Sequence, residues 1–189
     1  MFDKNMYLQV ITHAPCSIGK VEVSASKAFK IDDNDGIAKA IGFHAGMVNK
    51  VDYFVVNNND IQFIELSDLE ECIRNCRVYI EKELKQLREF KGDAITIGDE
   101  SKVIKEAWKD IKVEFCKKWS GSIAVIERLY RKTSELGDAD PSYKLLIVCK
   151  DHTDIKMLDA LKRQLSGMMS NVVVCKTKTL SSVLIGPEL

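Results

Sequence analysis

The sequence predicts an α/β domain, and three stretches carry that prediction. They are a hairpin of two apolar strands around an asparagine bend at 49–68, long charged helical patterns between 68 and 136, and a strand, helix and strand at 143–175. A chain of 189 residues with 46% hydrophobic side chains can bury a genuine core, so 1–189 is expected to be one unit. Its 28 basic and 28 acidic residues balance, which excludes a global positive field. Contact with nucleic acid would need a local basic patch.

Residues 6–11 and 18–25 have the composition of strands, with His13, Ala14 and Pro15 as the break between them. Asp32, Asp33, Asn34 and Asp35 precede a short helical pattern at 36–41 and offer it N-caps. A glycine-punctuated loop, 42–47, then leads into the hairpin. Its strands, 51–56 and 61–66, are rich in Val, Ile, Phe and Tyr, and the Asn/Asp cluster between them tolerates the positive φ of a tight bend. With Asn58 and Asn59 as the bend, Asn57 faces Asp60, Asp52 faces Glu65, and Lys50 faces Ser67. Directly opposed side chains lie about 4.5–5.5 Å apart at Cβ. Two carboxylates that close repel unless something positive lies between them, and a divalent cation is the obvious candidate. Phe54, Val56, Ile61 and Phe63 share the acids' side of the hairpin, whereas Tyr53, Val55, Ile64 and Leu66 occupy the other. Apolar residues on both faces bury the acids and sharpen their need for a partner.

After Ser67 a helix is predicted from 68 to 91, with acids in its first turn and basic residues on its outer positions. The segment 92–98 reads as a break with a short strand. A helical stretch from 101 to 136 is expected to divide in two at Ser120-Gly121-Ser122, making 92–140 a helical lobe. A loop at 137–142 leads to an apolar strand at 143–149, a helix at 154–167 and a strand at 172–175, a unit that pairs its strands in parallel. Residues 183–185 suggest an edge strand. The six cysteines form no C-x-x-C pair and read as reduced, buried thiols. No membrane span or signal pattern is present, and the expected location is cytoplasmic. P-loop, G-x-S-x-G, H-E-x-x-H and dinucleotide glycine signatures are absent.

The hairpin resembles the signature of the PD-(D/E)XK, or restriction-endonuclease-like, nuclease superfamily: an Asp on one strand, then an acid, any residue and Lys on the next. Asp52 matches the first acid. Glu65-Leu66-Ser67 stands where E-x-K is expected, so Ser67 replaces the motif lysine, and Lys50 across the hairpin is placed to deliver an ammonium group instead. The resemblance implies a mixed β-sheet flanked by helices, a restriction-endonuclease-like core with a helical insertion. It implies a Mg²⁺-dependent (or Mn²⁺-dependent) nuclease acting on DNA or RNA, with Asp52 and Glu65 as metal ligands and Lys50 and Ser67 completing the catalytic set. The alternative is a catalytically degenerate module that binds nucleic acid or a protein partner. The 101–136 helical region is the candidate surface for a homodimer or other protein partner.

Overall fold

The structure, a computed structural model, describes residues 2–14, 20–44, 46–133, 136, 140–167, 169 and 171–186. Along the chain come β1 (Leu8–His13), β2 (Glu22–Lys30), α1 (Ile37–Ala40), β3 (Tyr53–Asn57), β4 (Asp60–Ser67) and α2 (Glu70–Lys91). There follow α3 (Ile97–Ala107), α4 (Lys109–Lys132), β5 (Ser142–Cys149), α5 (Ile155–Leu165) and β6 (Val172–Lys176). The fold is α/β, with one six-stranded mixed sheet in the order β1-β2-β3-β4-β5-β6. Strands β1 to β4 are antiparallel neighbours, and β4, β5 and β6 run parallel. Parallel neighbours require a crossover. Helices α2, α3 and α4 make the first and α5 the second.

The hairpin has the predicted bend and register: Asn57 pairs with Asp60, Phe54 with Phe63 and Tyr53 with Ile64, while Asn58 takes φ 50°. Its two sides enter separate cores. Phe54, Val56, Ile61 and Phe63 join residues of α1, α2, α4 and α5 in the larger core. Tyr53, Val55 and Ile64 pack with Leu146, Val148 and Cys175 against Leu180 of the 3₁₀ helix Thr177–Ser182 and the following tail. The sheet is thus covered by α-helices on one side and by a 3₁₀ helix and tail on the other.

Several elements differ from expectation. Residues 120–122 do not divide two helices, because α4 runs through them and the break falls at Trp108, between α3 and α4. Small residues are needed there for contact: a Cβ on Gly121 would stand 1.9 Å from the Asn49 carbonyl oxygen, and the Ser122 hydroxyl accepts the Val51 N–H at 2.9 Å. The segment 92–98 forms a 3₁₀ turn, Gly92–Ala94, and no strand. Helix α3 then starts at a capping box in which Thr96 and Asp99 exchange hydrogen bonds. The N-cap of α1 is Gly36 and none of the aspartates, since any Cβ there would meet the Asp32 carbonyl. Residues 183–185 are not a strand; the Gln62 amide donates to the Val183 carbonyl and accepts the Ile185 N–H, replacing a ladder. Of the cysteines, Cys76, Cys149 and Cys175 are buried but Cys72 is exposed. Cys16, the start of the strand expected at 18–25, positions 137–139 of the loop expected before β5, and Pro187 lie outside the described residues.

Alanine in place of a mid-helix glycine ordinarily stabilises by about 1 kcal/mol. Gly121→Ala should do the reverse, destabilising by about 1–3 kcal/mol through overpacking against the Asn49 backbone. Urea unfolding of the variant checks this, and a midpoint at or above that of wild type would contradict the contact.

Candidate active site at the end of the hairpin

The β3–β4 ladder stops at Tyr53 and Ile64, so Asp52–Glu65 and Lys50–Ser67 are not ladder pairs as expected. The backbone is committed elsewhere at this point: Val51 N–H goes to Ser122, and the Asp52 carbonyl accepts from Ile31 N–H at 2.8 Å. The Asp52 side chain takes over where the ladder ends, its Oδ2 accepting the Leu66 N–H of β4 at 2.7 Å. That bond ties Asp52 to the strand carrying Glu65.

Glu65 is 1% exposed and sits on the side of β4 that faces α4. Aromatic packing fixes the helix above it. Trp119 meets Phe63 edge-on with ring centroids 5.6 Å apart, and Phe63 stacks on Tyr143 of β5 at 5.5 Å. With Trp119 held, its neighbour Lys118 donates from Nζ to Glu65 Oε1. Ser67 Oγ donates to the same oxygen at 3.2 Å. The other oxygen, Glu65 Oε2, is buried and has no hydrogen-bond partner.

Two carboxylates and one ammonium leave an excess negative charge in a buried place. Burial, reinforced by the charge of Asp52 and only partly offset by Lys118, pushes the Glu65 carboxyl up from 4.5 to about 8. Asp52 moves in the same direction, chiefly through burial, although the Leu66 hydrogen bond and Lys118 oppose the rise. For Lys118, burial works against the ammonium, but Glu65, Asp52 and Glu114 outweigh it and hold the group charged.

Lys50 is not the cation of this cluster. Its ammonium pairs with Asp32 at 2.7 Å, because the chain at 49–52 has left the ladder and turned toward the end of β2. The remaining aspartates of that turn are occupied as well: Lys30 bridges Asp33 at 3.1 Å and Asp35 at 2.9 Å. Lys50 and Lys118 both line a cleft of about 740 Å³, whose other wall includes Asp32, Asp35, Lys39 and Phe43. Lys118 is therefore the member of the buried cluster that borders the cleft. The sequence offered a weak signal for it, a lysine just before an aromatic anchor on an amphipathic helix, but nothing local linked position 118 to 65.

Asp52 and Glu65 are the residues here that could hold a hard cation. An orphaned carboxylate oxygen beside a second acid supplies oxygen donors of the kind that Mg²⁺ and Mn²⁺ take, and Mg²⁺ commonly binds through one or two carboxylates with water and substrate phosphate completing its shell. Among the described residues no group of three or more His, Cys, Asp or Glu side chains could hold a metal ion. No helix among these residues is long and apolar enough to cross a membrane. No protein-family model, curated protein or solved structure matches the chain.

Because folding raises the Glu65 pKa, the native state retains a proton that the unfolded chain has released between pH 4.5 and about 8. Stability from this group is therefore complete below the unfolded value and lost as pH rises through the folded one, with a limiting slope of about 1.4 kcal/mol per pH unit for one proton. In chelator, urea midpoints of wild type should fall between about pH 4.5 and about pH 8 more steeply than those of Glu65→Gln. Parallel pH profiles would contradict the assignment.

Proposed function

We propose that the protein is a Mg²⁺- or Mn²⁺-dependent phosphodiesterase acting on nucleic acid, with a restriction-endonuclease-like core of the PD-(D/E)XK type. The observation that carries the reading is the pairing of half-buried Asp52 with buried Glu65 at a strand end, with Lys118 in contact with Glu65 and one Glu65 oxygen left without a donor. Asp52 and Glu65 would hold the cation, which, when bound, supplies Lewis-acid stabilisation of charge on the phosphoryl group. Lys118 takes the part that the motif assigns to the lysine now replaced by Ser67. Its ammonium borders the cleft and can stabilise negative charge on a phosphoryl oxygen presented there. Without the cation, the Glu65 carboxyl, raised in pKa by burial, holds a proton near neutral pH that cation binding would displace. Ser67 orients Glu65 through its hydroxyl, and Lys50 contributes to the cleft wall while neutralising Asp32.

A catalytically degenerate module that binds nucleic acid or a protein partner is the second reading. It is favoured by the direct Glu65–Lys118 ion pair, which already satisfies one of the two Glu65 oxygens. Exposed Phe90 and Ile97 at the tip of the α2–α3 hairpin also suit a protein partner.

Cleavage of single-stranded and duplex DNA and RNA, with Mg²⁺ or Mn²⁺, separates the two. Asp52→Ala and Glu65→Ala should abolish cleavage and Lys118→Ala should lower it by about a hundredfold or more. Lys50→Ala should cost less than Lys118→Ala. Every substrate surviving folded wild-type protein would refute the hydrolase reading.

A further inference from the structure

Farther along α4, Arg128 and Arg131 line a second groove of about 460 Å³ with Ile123 and Glu127, and Phe43 lines both this groove and the larger cleft. The two depressions are therefore adjacent. At the helical rise of about 1.5 Å per residue, Arg128 stands about 15 Å along α4 from Lys118. Its guanidinium lies over the Phe43 ring, 4.8 Å from the centroid. The backbone leading to the ring is fixed: Lys132 Nζ donates to the Ile41 carbonyl at 3.0 Å, and Gly42 turns the chain at φ 92°. Among the described residues neither Arg128 nor Arg131 has a carboxylate partner, and Glu127 accepts from the Tyr143 hydroxyl at 2.9 Å.

The Arg128 guanidinium, a planar group held over the Phe43 ring, lines the groove together with that ring. Such a plane stacks with a nucleobase, while a second, unpaired arginine nearby suits the phosphate attached to it. Bases within a duplex are already stacked on one another, so only an unpaired nucleotide can use the platform. We infer that the Phe43–Arg128–Arg131 groove is a binding subsite for a single-stranded nucleic-acid segment, several nucleotides from the point where the strand passes Lys118. This deepens the phosphodiesterase reading and rests on it for the identity of the ligand class.

The test is fluorescence-anisotropy binding of a short labelled oligothymidylate in chelator, where cleavage plays no part, with salt titrations for each variant. Arg128→Ala should weaken binding about tenfold, as loss of one stacked base does. Arg131→Ala should reduce the salt slope by about 0.7, the value for one single-strand phosphate contact. Arg128→Lys should keep the salt slope but recover little affinity, because charge without the plane does not stack. Thermal unfolding followed by circular dichroism verifies that each variant is folded. Wild-type affinity and slope in all three variants would overturn the subsite, as would failure of wild type to bind the oligonucleotide. Equal competition by polyglutamate would also overturn it, since charge alone would then account for binding. The two ideas fail separately: unchanged binding by variants of a protein that cleaves removes the subsite only. Arginine-dependent binding by a protein that never cleaves removes the hydrolase only.

Discussion

A single buried imbalance of charge governs this molecule: Glu65, 1% exposed, shares one ammonium group with Asp52 and keeps one oxygen that no donor reaches. An arrangement like this costs stability unless a proton or a cation completes it, because a charge taken out of water needs its interactions satisfied in place. Apolar packing beneath the acids makes the imbalance persistent. Phe63, Ile61 and Phe54 occupy the same side of the hairpin and share one core with Val51, Phe115 and Trp108. Protonation of Glu65 and cation binding are thus competing answers to one electrostatic problem, so a cation should bind more readily as pH rises.

The fold holds this problem in place through α4. Trp119 sets the rotation of the helix against β4 and β5 through Phe63 and Tyr143, which turns Lys118 onto Glu65. One turn further, Gly121 and Ser122 let the 49–51 segment lie directly on the helix and capture the Val51 N–H, so β3 cannot extend its ladder. Asp52, one residue on, is left to cap the Leu66 N–H with its side chain. Local steric requirements at two small residues therefore decide where an acid and a base meet.

Much of this was legible in the sequence because it depends on near neighbours. The asparagine bend, the hairpin register, the two apolar faces and the parallel β5–α5–β6 unit all follow from period and turn chemistry within a few tens of residues. The nearness of Asp52 to Glu65 was legible for the same reason, although a hydrogen bond from the Leu66 N–H to the Asp52 side chain stands in place of the expected ladder pair. The identity of the cation was not. Lys50 lies across the bend from Ser67 on paper, but its backbone has left the sheet and its ammonium has gone to Asp32. Lys118 reaches Glu65 from 53 residues away through a helix whose docking depends on aromatic and backbone contacts that no local pattern encodes. Ser120-Gly121-Ser122 reads as a break because small residues look alike in sequence, whether they end a helix or admit a neighbour to its surface.

The most direct measurement of the central claim is a carbon-13 NMR titration of the Glu65 side-chain carboxyl, assigned by comparison with Glu65→Gln and recorded with and without Mg²⁺. The buried-charge account predicts a midpoint near 8 in chelator, displaced to lower pH when the cation is present. A midpoint at the ordinary glutamate value of about 4.3 in the folded protein, unmoved by Mg²⁺, would contradict it.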